Sequence, residues 1–309
     1  MGLKEIFKNP KKLYISATNR GLTNFVTDER HIKTIWSITK GGTLDLDNPK
    51  TFCEKLQWLK LHDRNPMYTK MVDKVEMKDW VSRRIGSDHV VPIYGVWENF
   101  DQIDREALPN EFVIKTTHDS SGLSVCKNKE TFDWGKARLR VEKSLQHNYY
   151  MQWREWPYKN VRPRVFAEKM LVETGGRAVD GDALTDYKFF CFNGVPKIMY
   201  VSKDTSNDPR TDFFDMDYNH LPFRMADPNA DVPPRKPPAF EEMRRYAAIL
   251  SKGIPHLRVD FYCVEGQVYV GELTFYHNAG FSRIEPEEWD EKMGDWIDLS
   301  LAYDCKTHK

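Results

Sequence analysis

Apolar positions along this chain follow two rhythms, a period of two in short runs rich in Val, Phe and Tyr and a period near 3.6 in longer ones. The most telling run, LRVDFYCVEGQVYVGELT at residues 257–274, reads as two β-rich arms about Glu265-Gly266, each with one carboxylate, Asp260 or Glu272, in otherwise apolar sequence. A three-residue loop, 264–266, with Gly266 left-handed in a bulge, would pair 260 with 270 and make Asp260 and Glu272 diagonal neighbours on one face. A two-residue loop would separate them. Acids are depleted in strand interiors, so two side by side repel unless a cation lies between, and hard oxygen ligands at that spacing suit Mg²⁺. The same run equally describes a surface hairpin with its acids in solvent.

The other period-two runs give strands at 90–97, 111–117, 123–126 and 164–171, and a hairpin over 185–201 about Asn193-Gly194. Asp186 and Lys188 are two apart on that hairpin and share a face. Lys115 sits inside an apolar strand, where it either meets an anionic partner or guards a sheet edge. The polar loop that follows, His118 to Gly122, has amides suited to phosphate oxygens. Helical spacing opens after Thr51, where Glu54 completes a capping-box pattern ahead of Phe52, Leu56 and Leu59. Further helices are expected over about 71–85 with Gly86 as the stop, 133–146, 240–252 before Gly253, and in an acidic, Trp-containing tail. An aromatic, basic stretch at 149–159 either stacks planar ligands or packs a connection, and 173–181 reads as a crossing loop.

The order is a helical lead, a small βαβ-like unit, a hinge strand, then an antiparallel sheet with a helix. This predicts an α+β fold with a cleft between two sheets. The expected divisions are 1–70, a helical N-terminal segment; 71–110, a preceding unit; 111–175, a small subdomain with phosphate loop and hinge; and 176–309, a large subdomain with the metal and substrate site. No GxGxxG after a strand, GxxxxGK[ST] or GxSxG is present, so Rossmann, P-loop and α/β-hydrolase readings have no support.

Composition narrows the class further. With 309 residues, 40% apolar and 13% aromatic, the chain is globular and large enough for two or three cores. Lys+Arg and Asp+Glu both total 46, so no whole-molecule field draws it to nucleic acid, and none is expected as a partner. Five cysteines, at 53, 126, 191, 263 and 305, form no CxxC pair, which fits a reducing compartment. Without an apolar run long enough to span a bilayer, and without a secretory signal core in MGLKEIFKNPKK, the expected location is cytoplasmic.

Taken in order, Asp73-Lys74, Lys115, Ala167-Glu168-Lys169-Met170-Leu171, Asp186-Tyr187-Lys188, Arg258-Val259-Asp260-Phe261 and Gly271-Glu272-Leu273-Thr274 resemble the ATP-grasp superfamily. The stretches PKTFCEKLQWLK (49–60), REWPYK (154–159), YKFFCFNG (187–194) and ELTFY (272–276) look more closely like its TupA-like family, associated with surface-polysaccharide gene clusters and named after teichuronopeptide biosynthesis. The likeness runs roughly from Pro49 to Leu299.

That resemblance implies an ATP-grasp fold, with ATP between two antiparallel sheet subdomains. Lys74 and Lys115 would contact the ATP phosphates, and Lys188 would reach the triphosphate from the central sheet. Glu168 would bind the adenine amino group, Lys169 to Leu171 would complete the hinge, and Glu173 would hold the ribose. Asp260 and Glu272 would be Mg²⁺ ligands, with Thr274 where the wider superfamily usually carries Asn, and Arg258 would steady the transferred phosphoryl group.

The activity implied is an ATP- and Mg²⁺-dependent carboxylate–amine ligation through an acyl phosphate, the partners being a carboxylate-bearing sugar unit and an amine, with peripheral contact to polysaccharide assembly machinery. Three rivals remain: a glycosyltransferase using Asp215-Met216-Asp217 or Asp45-Leu46-Asp47 as a DxD motif, a non-catalytic scaffold, and an ATP-grasp kinase.

Overall fold

The computed structural model describes residues 10–172, 184–203, 209–225 and 227–303. The N-terminal third is helical: α1 (Pro10–Asn19), α2 (Asp28–Thr39), α3 (Phe52–His62), α4 (Met67–Val72) and α5 (Glu76–Ile85). Helix α3 starts as its residues dictate. The Thr51 hydroxyl accepts from the Glu54 amide at 3.2 Å, and the Glu54 carboxylate accepts from the Thr51 amide at 3.0 Å. Its apolar stripe, Phe52, Leu56 and Leu59, is buried.

The helix expected over 71–85 is broken instead. Asp73 Oδ1 accepts from the amides of Val75 (2.9 Å) and Glu76 (3.1 Å), a local bond that competes with helix continuation and opens α5 as a new segment. Lys74 therefore lies at a joint, and its amide donates to Thr117 O at 3.0 Å.

Two antiparallel sheets follow. The smaller has the order β1-β4-β2-β3, from β1 (Ile93–Trp97), β2 (Phe112–Thr116), β3 (Ser124–Cys126) and β4 (Val165–Glu168). Its described ladders are all antiparallel, so the βαβ-like expectation is corrected. Strands β2 and β3 form a hairpin and β4 returns on the opposite side of β2. Between them α6 (Trp134–Leu145) lays Ala137 and Val141 on Phe112, Ile114, Val165 and Ala167, while α7 (Tyr149–Trp153) begins the aromatic stretch.

The larger sheet has the order β10-β9-β5-β6-β7, from β5 (Thr185–Phe192), β6 (Val195–Lys203), β7 (Arg210–Asp215), β9 (His256–Val264) and β10 (Gln267–Thr274). A two-stranded ribbon, β8 (Arg224–Met225) with β11 (Ile284–Glu285), and α9 (Glu288–Asp295) complete the chain. Helix α8 (Phe240–Ser251) covers one face of the large sheet, with Phe240 5.7 Å from Phe189 between ring centroids. Part of the other face is covered by α3, where Phe52 meets Phe190 at 6.3 Å. The rest of that second face carries the charged residues and looks toward the small sheet.

Register decides which side chains meet there. Asn193-Gly194 and Glu265-Gly266 both have positive φ at each residue, the backbone of a two-residue hairpin turn. The three-residue alternative for the acidic hairpin is thus corrected, since Val264 pairs directly with Gln267. Alone, that turn would put Glu272 on the face opposite Asp260. A bulge at Gly271 shifts the ladder by one, and Glu272 pairs directly with Asp260. Glycine suits the bulge because a Cβ there would lie 2.7 Å from Tyr262 Cε2.

Candidate active site

Alternation on β9 sends Leu257, Val259 and Phe261 into the core and leaves Arg258 and Asp260 on the second face. Arg258 grips Asp260 with both arms of its guanidinium: Nε donates to Oδ1 and Nη2 to Oδ2, each at 2.7 Å. The Lys188 ammonium donates to Asp260 Oδ2 at 3.1 Å and pairs with Asp186 at 2.8 Å. Arg258 also donates to the Thr274 hydroxyl at 3.0 Å and to His277 Nδ1 at 2.7 Å, and lies 3.8 Å from Glu272. Burial opposes ionisation of Asp260, but Arg258 and Lys188 outweigh it and hold the carboxyl below its ordinary value. His277 is held neutral, first by burial and then by the Arg258 charge, so its Nδ1 is free to accept.

Across the cleft the small sheet presents a second ion cluster. Glu168, the last residue of β4, takes Lys115 on Oε1 at 2.5 Å and Lys78 on Oε2 at 2.6 Å. Burial opposes its ionisation and the two lysines overcome that, holding it below the usual carboxylate range. Beside it lies a cavity of about 640 Å³ whose lining includes Val113, Lys115, Leu171, Asp186 and Tyr262. Its lining mixes apolar side chains with charged ones, among them Lys115, Lys127 and Lys169, a combination suited to a ligand with a planar apolar part and a charged part. Lys169, also on its wall, donates its amide to Pro92 O at 2.9 Å.

A second cavity, of about 370 Å³, opens where the two sheets approach the aromatic stretch. Lys74, Asp119, Tyr149, Glu155, Arg258 and Glu272 are among its lining residues. Lys74 donates to Asp119 O at 2.9 Å, and burial depresses its pKa. The Asp119 side chain fixes the phosphate-loop candidate by accepting from Thr116 (2.8 Å), Ser144 (2.5 Å) and Ser121 (2.7 Å). Gly122 is packed so closely that a Cβ would strike the Thr116 and Ser144 side chains, leaving no room for a side chain at that position.

Of the residues singled out in the sequence, Lys188, Arg258, Asp260, Glu272 and Thr274 meet on one face. Lys74 and Lys115 approach it from the other side of the cleft, and Glu168, Lys169 and Leu171 line the larger cavity. Glu173 lies outside the described residues. Sequence reasoning missed Lys78, which looks like any helix lysine until the fold brings Glu168 to it. It also missed the individual parts played by Asp119, Glu155 and Lys60, although each lies inside a stretch singled out above, the loop 118–122, REWPYK and PKTFCEKLQWLK. Both DxD triplets are turns: Asp45 Oδ1 accepts from the Asp47 amide, and Asp215 Oδ1 from the Asp217 and Asn219 amides.

Asp260 and Glu272 pair directly and Thr274 follows two residues on, so these side chains carry hard oxygen donors of the kind Mg²⁺ takes. Asp260 would share its two oxygens between the ion and the Arg258 and Lys188 groups that now hold them. Among the described residues no group of three or more His, Cys, Asp or Glu side chains is placed to enclose an ion. Phosphate oxygens and water would complete its shell.

Two antiparallel sheets that share a cavity, with Lys115 on one, Lys74 at the helix joint beside it and an Arg-Asp-Glu-Lys cluster on the other, are the arrangement of an ATP-grasp protein. The sequence profile of the TupA-like ATP-grasp family matches residues 54–298, and the chain belongs to that family.

Comparison with curated proteins finds no match. Among solved structures, the chain is similar to a D-alanine–D-alanine ligase from Helicobacter pylori, at 12% identity and a TM-score of 0.41, covering 81% of this chain and 70% of that one. It is also similar to the corresponding ligase from Bacillus anthracis, at 13% identity and a TM-score of 0.37, covering 66% of this chain. The chain spans 57% of the length of that Bacillus anthracis structure. The ATP-grasp ligase PsnB, complexed with precursor peptide PsnA2 and AMPPNP, shows 12% identity and a TM-score of 0.39 over 97% of this chain and 73% of that one.

Proposed function

We propose that the protein is an ATP-dependent carboxylate–amine ligase. The observation that carries this reading is the direct pairing of Asp260 with Glu272 on a face that also holds Arg258 and Lys188, opposite Lys74 and Lys115. Adenine would occupy the 640 Å³ cavity beside Leu171, the phosphates would run past Lys115 and Lys74, and Arg258 and Lys188 would face the γ-phosphate. Mg²⁺, held by Asp260 and Glu272, would supply charge neutralisation on the phosphate oxygens.

A substrate carboxylate oxygen attacks the γ-phosphorus, the bond to the ADP oxygen breaks, and an acyl phosphate forms. The amine nitrogen then attacks the acyl carbon, the carbon–oxygen bond to phosphate breaks, and an amide, ADP and phosphate leave. Arg258 and Lys188 orient the transferred group.

The family's association with surface polysaccharides supports a uronic acid or related sugar acid as the carboxylate, an amino acid or amino alcohol as the amine, and a cytoplasmic site of action where ATP is present. The test is incubation of purified protein with Mg-ATP, glucuronate or galacturonate (free and nucleotide-linked), and amines including alanine, serine and ethanolamine, with mass detection of products. An amide formed with ADP and phosphate is expected. ADP release indifferent to every carboxylate and amine, or a stable phosphorylated acceptor, would overturn the ligase reading.

A further inference from the structure

We propose that the Glu155 end of the 370 Å³ cavity is a recognition site for a primary ammonium group. This deepens the ligase reading and rests on it only for the identity of the step served.

Glu155 is fixed in place from below. Arg154, just before it, has a left-handed backbone (φ 56°), a costly conformation for a non-glycine residue, held by a fully buried side chain. That guanidinium donates to Met151 O at 2.5 Å and Thr23 O at 3.2 Å, and its Nε lies 3.2 Å from Asp28 Oδ1. The N-terminal helices thereby lock the turn between α7 and the 3₁₀ segment Trp156–Asn160.

The carboxylate that this places on the cavity wall is only 3% exposed. It accepts a long hydrogen bond, 3.3 Å, from the Tyr149 hydroxyl. Lys60, the nearby cation whose charge it feels, does not serve as a dedicated partner. Its ammonium donates to Trp153 O at 2.9 Å and Ala279 O at 2.6 Å and lies over the Phe281 ring at 4.7 Å. A buried carboxylate facing a cavity calls for a cation from outside.

The remaining walls select the kind of cation. Tyr149, Trp153, Tyr158 and Tyr276 are among the residues that line the same space, and aromatic ring faces attract an ammonium. Arg258, Glu272 and Thr274 line the same cavity, so an amine held at Glu155 is close to the proposed phosphoryl-transfer face.

The chemistry closes at this position. The bound ammonium gives one proton to the Glu155 carboxylate, and its freed lone pair attacks the acyl carbon. The acyl–phosphate bond breaks with its electrons leaving on phosphate, which takes the second nitrogen proton. Burial, with Glu272 adding to it against Lys60, Tyr149 and Arg258, pushes the Glu155 carboxyl up to about 7, which suits a group that takes a proton near neutrality.

Calorimetric titration of the full chain with ethanolamine, and with ethylene glycol as the uncharged comparator, tests the site. Saturable ethanolamine binding is expected, weakened about tenfold or more in Glu155→Gln, with no ethylene glycol binding. Wild-type protein that takes no ethanolamine, or a folded Glu155→Gln variant that binds it equally, overturns the proposal. Should the variant not fold, a wild-type crystal structure with ethanolamine decides instead: nitrogen at Glu155 supports the site and nitrogen elsewhere overturns it. Titration of the wild type with Mg-ATP is separate, and its failure would remove the ligase reading without touching the ammonium site.

Discussion

Glu272 faces Asp260 across the β9–β10 ladder because Gly271 adds one residue between the turn and the acid. The two-residue turn at Glu265-Gly266 would otherwise aim Glu272 at the opposite face. Gly271→Ala tests this dependence. The new methyl would sit 2.7 Å from Tyr262 Cε2, so the ring or the bulge must move. A loss of about 1–3 kcal/mol in chemical denaturation is expected, together with weaker Mg-ATP binding. Unchanged affinity would show that the bulge does not control the acid pair.

The two acids differ in what their removal does. Asp260 neutralises Arg258 in a buried cluster and shares Lys188 with Asp186. Among the described residues, Asp260→Asn therefore leaves Arg258 with no carboxylate nearer than Glu272 at 3.8 Å and should cost about 3 kcal/mol as well as turnover. Glu272 has a third of its side chain exposed and touches Arg258 only at 3.8 Å. Glu272→Gln should therefore change stability by less than about 1 kcal/mol. Turnover should fall about a hundredfold or more in the same variant. Paired denaturation curves and ADP-release rates check both statements.

Glu168 bridges Lys78 and Lys115, one on each carboxylate oxygen. Glu168→Gln should destabilise the fold by about 3 kcal/mol by leaving two ammonium groups in a poorly solvated place. Adding Lys78→Met should recover part of that loss, because the second change removes one stranded charge. The signature in denaturation measurements is a double variant less damaged than the sum of the singles.

Much of this arrangement was legible in the chain itself. The turns at Asn193-Gly194 and Glu265-Gly266, the Thr51–Glu54 cap and the acids or lysines inside apolar strands are local signals, and local physics decides them. What could not be read depends on residues far apart in sequence. Lys78 is 90 positions from Glu168, and Glu155 meets Glu272 and Arg258 only once the chain has closed on itself. The Gly271 bulge falls between these cases. A glycine in a strand signals a bulge, but its position follows from the Tyr262 ring on the neighbouring strand. The helix break at Asp73 was missed because Asp competes for its own following amides, which apolar periodicity does not register.

His256 makes the fold sensitive to acid. Its ring is packed among Phe52, Phe190 and Phe192, at centroid distances of 5.0, 5.9 and 4.9 Å, and burial lowers its pKa to about 3. The unfolded chain accepts a proton at this residue near pH 6.5, while the folded chain refuses it until about pH 3. The stability it confers is thus complete above 6.5 and is lost as pH falls from there toward 3. Between about pH 7.5 and about pH 5 this one residue should account for about 2 kcal/mol. His256→Phe should flatten the acid limb of a stability-versus-pH curve by that amount, and an unaltered limb would assign the acid sensitivity elsewhere.

The outer rim of β10, the last strand of the large sheet, is capped by residues just before β1. Val90 forms a parallel bridge with Val270, His89 Nδ1 donates to Val268 O at 2.9 Å, and Gln267 Nε2 donates to Asp88 O at 3.0 Å. A bare rim would be an adhesive margin, open to strands from other molecules. Sealing it makes the acid-bearing hairpin an interior strand pair in all but name, so an unfolding event that frees residues 88–90 would loosen the register that pairs Asp260 with Glu272 and expose a self-associating edge at once.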